Sequence, residues 1–352
     1  MTSPDYSSVL SSDPSLPSSP SLPPGFTRSL VGLDYALVTP ESRTWAAPVN
    51  SLKTLSQGQT WSNASVAHLI SPGRAASGAS FSMFLLKLGS NGRMGPLPPV
   101  GAAERFLFVL DGVVKVETTT ESESKAARSG GGKKDFAQRK RKRCSPPRNL
   151  TLRSDGFAFF PPHCSSSSGF LPTVTAGPGG AGLVVFEKVH VSRETGKASR
   201  LFDEESDDEN DDEETETETE IEETLPFFVS AQSASKLPLI DPGHPETFKL
   251  RKLLPHSGLD ASKFDFNVHL MDFNPGEFLV TKEIHHNQHG LLMLLGQGIY
   301  RLSDSVWAPV TSGDAVFMGP YVTQWFGSLG RQKSRYLIFK DTAPDPLLAA
   351  SS

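Results

Sequence analysis

Apolar positions along this chain come in short runs bounded by Gly, Pro, Asp and Ser, and the runs are rich in Val, Phe, Leu and Ile. That is the signature of many strands and turns, so the sequence predicts a mostly β protein. The stretch KFDFNVHLMDFNPGEF (263–278) alternates with period two at Phe264, Phe266, Val268 and Leu270, as expected of a strand with one buried face, and NPGE then turns the chain. Leu291 to Leu295, followed by Gly296 and Gly298, predicts a strand leading into a hairpin.

The pattern is written twice. RFLFVLDGVVKV (105–116) resembles GLLMLLGQGIYRL (290–302), DGFAFFPPH (155–163) resembles SGDAVFMGPY (312–321), and LVVFEK (183–188) resembles YLIFKD (336–341). An internal repeat sets the architecture, here two β units in tandem. Gly112 and Gly156 are 44 apart, whereas their apparent counterparts Gly298 and Gly313 are 15 apart, so the first copy carries 29 extra residues. Those residues coincide with a basic tract at about 118–148, which is therefore read as an insertion in a strand-to-strand loop.

Charge sharpens this division. Ten Lys/Arg face three acids between Thr118 and Arg148, and fifteen Asp/Glu with no bases lie between Asp203 and Glu223. Setting both tracts aside leaves 24 bases against 21 acids in the remainder, a balance that implies neither nucleic acid nor membrane as partner. Like-charged tracts of this kind repel themselves and stay solvated. The rival assignment of RKRKR (139–143) as a nuclear or nucleic-acid patch needs binding beyond ordinary non-specific affinity. The chain of 352 residues thus divides into a disordered Ser/Pro-rich leader (1–23), an N-terminal unit (24–200) with the basic insertion, an acidic linker (201–235), a C-terminal unit (236–345) and a tail (346–352). Two cysteines, Cys144 and Cys164, make no disulfide framework. No run is long enough to span a membrane and no signal peptide is visible, which points to the cytoplasm.

Chemistry concentrates in KEIHHNQHGLLMLLGQG (282–298). On an extended strand Glu283, His285 and His289 share parity, while His286 and Gln288 point the other way. A Pro turn after SGDAVFMG can return Gln324 as a fourth donor. One carboxylate, two imidazoles and a neutral amide oxygen favour an oxygen-loving divalent ion such as Mn2+, and the absence of a nearby cysteine argues against structural zinc. The equivalent strand of the first copy has Glu104 but no histidine, and His163 stands alone, so the N-terminal unit is expected to be metal-free.

These spacings resemble the paired motifs of the cupin family, whose members usually order the ligands His, His, Glu, His. The Glu-first, Gln-last set here, with PYVTQW and SRYLIFKD, is similar to the (S)-ureidoglycine aminohydrolase family of bicupins. PGFTRSLVGLDYALVTPES (24–42), FKLRKLLP (248–255) and FNVHLMDFNPGEFL extend the resemblance over about residues 24 to 345 outside the charged tracts. Leu295 departs from the family, which tends to have Glu there, and LSDSVWAPV carries one residue more, to be absorbed in a turn.

The resemblance implies two jelly-roll barrels and Mn2+-dependent loss of ammonia from (S)-ureidoglycine, giving (S)-ureidoglycolate in purine (allantoin) catabolism. It assigns Lys340 to the substrate carboxylate and Tyr336 and Tyr300 to substrate binding beside Glu283 and Gln324, with Glu283 and Lys340 as the catalytic pair. It also implies a homo-oligomer and, from plant relatives, the endoplasmic reticulum. Two alternatives stay open: a metal-free bicupin serving storage or interaction, and an oxygen-dependent metal cupin.

Overall fold

The computed structural model describes residues 4–10, 30–31, 34–48, 61–72, 78–95, 103–120, 149–162, 170–190, 228–230, 232–240, 247–256 and 258–342. The basic tract beyond Thr120, the acidic tract, both cysteines and His163 lie outside them. Among the described residues a short helix, α1 (Ser7–Leu10), precedes seventeen strands. The first nine are β1 (Leu30–Val31), β2 (Tyr35–Val38), β3 (Ser62–Ile70), β4 (Phe81–Met94), β5 (Ala103–Thr120), β6 (Asn149–Arg153), β7 (Phe157–Phe160), β8 (Phe170–Val189) and β9 (Phe228–Ser230). The rest are β10 (Lys249–Leu254), β11 (Phe266–Phe273), β12 (His289–Leu295), β13 (Gln297–Leu302), β14 (Val306–Thr311), β15 (Ala315–Met318), β16 (Gln324–Ser328) and β17 (Ser334–Asp341).

Two seven-stranded sheets face each other. One has the order β3-β4-β8-β5-β7-β9 with β6 on β5, the other β1-β2-β15-β12-β17-β11-β10, and β14-β13-β16 closes the C-terminal barrel. β12 and β17 are buried on both sides. In β11, Phe266, Val268 and Leu270 enter the core between the sheets, while Met271 and Phe273 enter the C-terminal barrel. The single buried face expected from the alternation is thus one of two, and this is why runs such as Gly290–Leu295 read as continuously apolar. Aromatic rings fill the seam: Phe339 stacks on Phe81 at 4.0 Å, on Phe266 at 4.8 Å and on Phe186 at 5.7 Å between centroids. The N-terminal barrel interior is packed with Phe84, Leu86, Leu107, Val109 and Val185.

Three features differ from the sequence expectations. First, β12 and β13 form no hairpin; they belong to different sheets, and the chain crosses between them at Gly296. Gly296 has φ +71° and a Cβ there would lie 2.5 Å from the Lys333 carbonyl, so the crossing requires glycine. Secondly, the repeat is offset. Val109 exchanges backbone hydrogen bonds with Asp155 and Gly156 as Met293 does with Gly313 and Asp314, which makes Gly112 the counterpart of Gly296, not of Gly298. Thirdly, strands cross the expected unit boundaries: β2 pairs with β15 of the C-terminal sheet, and β9 pairs with β7 of the N-terminal one.

Residues 4–10, placed by sequence in the leader, dock onto the fold, with Tyr6 and Val9 fully buried. The Tyr6 hydroxyl donates to Asp155 and accepts from Arg335, which also forks onto Asp272. Within LSDSVWAPV the chain turns at residues 303–305.

Candidate functional site

The mouth of the C-terminal barrel is set by the first residue of β12. His289 stands opposite Met318 of β15 on one side and Lys340 of β17 on the other, with its side chain on the face that lines the barrel. Before it, residues 274–288 form no continuous strand, so parity does not position Glu283 and His285. Backbone bonds do. Glu283 and Gln324 exchange two, at 2.9 and 3.0 Å, and Tyr321 donates to the His285 carbonyl at 2.7 Å. The loop is thereby laid along the start of β16, whose first residue is Gln324.

Four side chains converge as a result. Glu283 Oε2 lies 3.7 Å from His285 Nε2, the Gln324 amide lies 2.9 Å from the same nitrogen, and the His285 and His289 rings are 4.5 Å apart between centroids. Ligand atoms sharing one divalent ion at about 2.1 Å are separated by roughly 3.0–3.4 Å, and the Glu283–His285 and Gln324–His285 spacings fall on either side of that range. Rotating the Gln324 amide brings its oxygen to where its nitrogen stands. One carboxylate, two imidazoles and an amide are donor types that a divalent metal can take. His285 Nδ1 and His289 Nδ1 are buried without hydrogen-bond partners.

Electrostatics keep the donors in ligand form. The His285 imidazole lowers the Glu283 carboxyl below its ordinary value against the effect of burial, and Lys340 adds to the lowering. Burial pushes His289 well below the usual imidazole range, again with Lys340 contributing, so its ring is neutral. Tyr300 on β13 and Tyr336 on β17 are fully buried; burial raises both hydroxyls, and the Glu283 charge raises each further. Tyr336 and Lys340 share the barrel-facing side of β17. The predicted substrate-binding residues therefore gather around one carboxylate.

Gln288 and His286 take other roles. Gln288 donates to the Gly78 carbonyl at 2.6 Å and accepts from the Ser80 amide at 2.8 Å, tying the loop to the N-terminal half, and His286 contacts Asn287. Trp325 donates to the Leu279 carbonyl and meets Phe278 and Trp307 at the rim. Sequence reasoning missed His269. It lies opposite Ile338 on the barrel-facing side of β11, its Nε2 has no hydrogen-bond partner, and burial, aided by Lys340 and Lys252, pushes it to about 3. The available signal was its place on the odd-numbered face, which the sequence treated as solvent-facing.

The chain is similar to several known proteins. No family profile matches the chain. It is 36% identical over 325 residues to the (S)-ureidoglycine aminohydrolase of Arabidopsis thaliana, covering 92% of this chain and 81% of that protein. A relative from Oryza sativa subsp. japonica, "Probable (S)-ureidoglycine aminohydrolase", is 38% identical over 326 residues, covering 92% and 78%. The Escherichia coli enzyme of that name is 41% identical over 83 residues, covering 23% of this chain and 31% of that protein. Among solved structures, protein Ylba from E. coli aligns with TM-score 0.57 at 22% identity, covering 91% of this chain and 96% of that one. An oxalate decarboxylase from Bacillus subtilis aligns at 0.52 and 11%, covering 92% and 81%. These likenesses show the fold, two cupin barrels in tandem.

Proposed function

The chain belongs to the (S)-ureidoglycine aminohydrolase family and is a hydrolase, and from that premise we propose that the cluster at the C-terminal barrel mouth is its active centre, with Mn2+ held by Glu283, His285, His289 and Gln324. The observation that carries the proposal is the convergence of those four side chains, with Lys340 and two buried tyrosines beside them. A bound divalent ion would orient the substrate and stabilise developing negative charge. The protein supplies the rest. The Lys340 ammonium pairs with the substrate carboxylate, and the Tyr300 and Tyr336 hydroxyls, protonated across the neutral range, donate to the ureido group. Glu283 moves a proton between attacking water and departing amine. Water adds at the carbon that carried the amine, the C–N bond breaks, and ammonia leaves with (S)-ureidoglycolate as the second product.

The N-terminal barrel, with its apolar interior, acts as a packing partner for the catalytic one, and further copies of the chain assemble through the surfaces left free. Anaerobic incubation of the Mn2+-loaded protein with fresh (S)-ureidoglycine should release ammonia above the spontaneous rate. Ammonia release that requires and consumes oxygen would assign the site to oxidative chemistry instead. Among the described residues no helix is long and apolar enough to cross a membrane.

A further inference from the structure

A second group of ligand-type side chains lies outside the catalytic cluster, at one end of the seam between the two sheets. Glu104 on β5, His190 just past β8 and Asp265 just before β11 bring one ligand atom each to within 4.8 Å of one another. His190 Nδ1 is 3.4 Å from Glu104 Oε2 and 3.5 Å from Asp265 Oδ1. Those are close to the roughly 3.4 Å edges of a tetrahedron of ligands at about 2.1 Å from a central ion.

We propose that Glu104, His190 and Asp265 form a second divalent-cation site, structural in role, that staples the N-terminal half to the C-terminal half. The fixed charge supports it. Lys188 Nζ reaches Asp265 Oδ2 at 2.8 Å and Asp341 Oδ1 at 3.3 Å, so with Glu104 beside His190 this corner holds one ammonium and three carboxylates. Asp265 and Glu104 raise the His190 imidazole to about 9, and a doubly charged cation that displaces its proton brings the group to balance. Lys188 occupies the far oxygen of Asp265 and so leaves Oδ1 turned toward His190. Glu104 gives the independent sign of a ligand. It is fully buried, neither of its carboxylate oxygens makes a well-formed hydrogen bond, and His190 Nδ1 stands 3.4 Å from Oε2. A buried carboxylate so weakly partnered is costly unless a cation meets it. Burial accordingly pushes its carboxyl well above the usual range, an effect a bound cation reverses. Two oxygens and one imidazole nitrogen suit Zn2+, with a solvent molecule as fourth ligand.

The site is separate from the barrel-mouth cluster and does not depend on its assignment. The test uses the full chain carrying His285→Ala and His289→Ala, which disables the barrel mouth. After chelator treatment and equilibration with Zn2+, followed by gel filtration, this chain should retain about one Zn2+, and the wild-type chain about two. Adding Glu104→Gln should remove the remaining ion while leaving the circular dichroism spectrum unchanged. Zn2+ should raise the melting temperature of the His285→Ala/His289→Ala chain by several degrees and leave the triple variant unmoved. Retention of the ion after Glu104→Gln, or no ion and no thermal shift in the double variant, overturns the seam site. Two zinc ions in the wild-type chain that are both lost with His285 and His289 would overturn it as well, and would assign both to the barrel mouth.

Discussion

Replacing Tyr6 by Phe tests how the N-terminal segment is held. The ring fills the same space in the variant, so the change removes only the hydroxyl. That hydroxyl donates to Asp155 at 2.9 Å and accepts from Arg335 at 2.8 Å, and all three side-chain positions are buried. A buried hydrogen bond to a charged partner contributes about 1.5–3 kcal/mol. Neither partner is stranded: Asp155 keeps the Ser235 amide at 2.7 Å and the Ser233 hydroxyl, and Arg335 keeps Ser235 at 2.7 Å and Asp272 at 2.6 and 2.9 Å. The lower end of the range therefore applies to each bond, giving a loss of roughly 3 kcal/mol in total. Urea unfolding should show a lowered midpoint with an unchanged slope, while ammonia release under folding conditions stays at the wild-type rate. A loss below about 0.5 kcal/mol, the level of an ordinary surface change, would refute the clamp between Asp155 and Arg335.

Glu283→Gln should keep part of the metal affinity yet lower turnover by roughly 10²- to 10⁴-fold, as measured by ammonia release; wild-type turnover would remove Glu283 from proton transfer. Lys340→Met should weaken substrate binding about ten- to a hundredfold through the lost pairing with a carboxylate, read as a rise in KM larger than the fall in kcat. Arg335 holds the Asp272 carboxyl below its ordinary value despite burial, so this pair's stabilisation is complete above the unfolded carboxyl value of about 4 and is lost as pH falls through the lowered folded value. Asp272→Asn should flatten that acid limb in a pH series of unfolding curves. Replacing residues 121–148 with a four-residue turn should leave the fold intact, because β5 and β6 already pair as antiparallel neighbours up to Glu117 and Asn149; a lost far-ultraviolet spectrum would contradict the insertion assignment.

Much of this was written in the residue pattern. The repeat gave two barrels because equivalent strands carry equivalent apolar runs, and the Glu283, His285, His289 and Gln324 set stood out by donor chemistry. What the pattern hid was the environment of each face. The alternation in β11 marked Phe266, Val268 and Leu270, yet the odd-numbered side is also buried, and His269 escaped notice for that reason. Glu283 and His285 come together through backbone bonds to residues nearly forty positions away, not through strand parity. The crossing at Gly296 reads locally like a hairpin, because a glycine of positive φ serves both, and only the pairing partners of β12 and β13 tell them apart. Tyr6 sits in a Ser/Pro-rich stretch with no periodicity, and its burial depends on Asp155 and Arg335, which composition cannot connect.

The central claim is that the barrel-mouth cluster holds the metal that turnover requires. The most direct measurement is ammonia release from (S)-ureidoglycine during Mn2+ titration of the chelator-treated chain, run beside His289→Ala. The account predicts activity that rises with Mn2+ and saturates in the wild-type chain, and no metal-dependent rise in the variant. Equal rates with and without Mn2+, or an undiminished rise in His289→Ala, would contradict it.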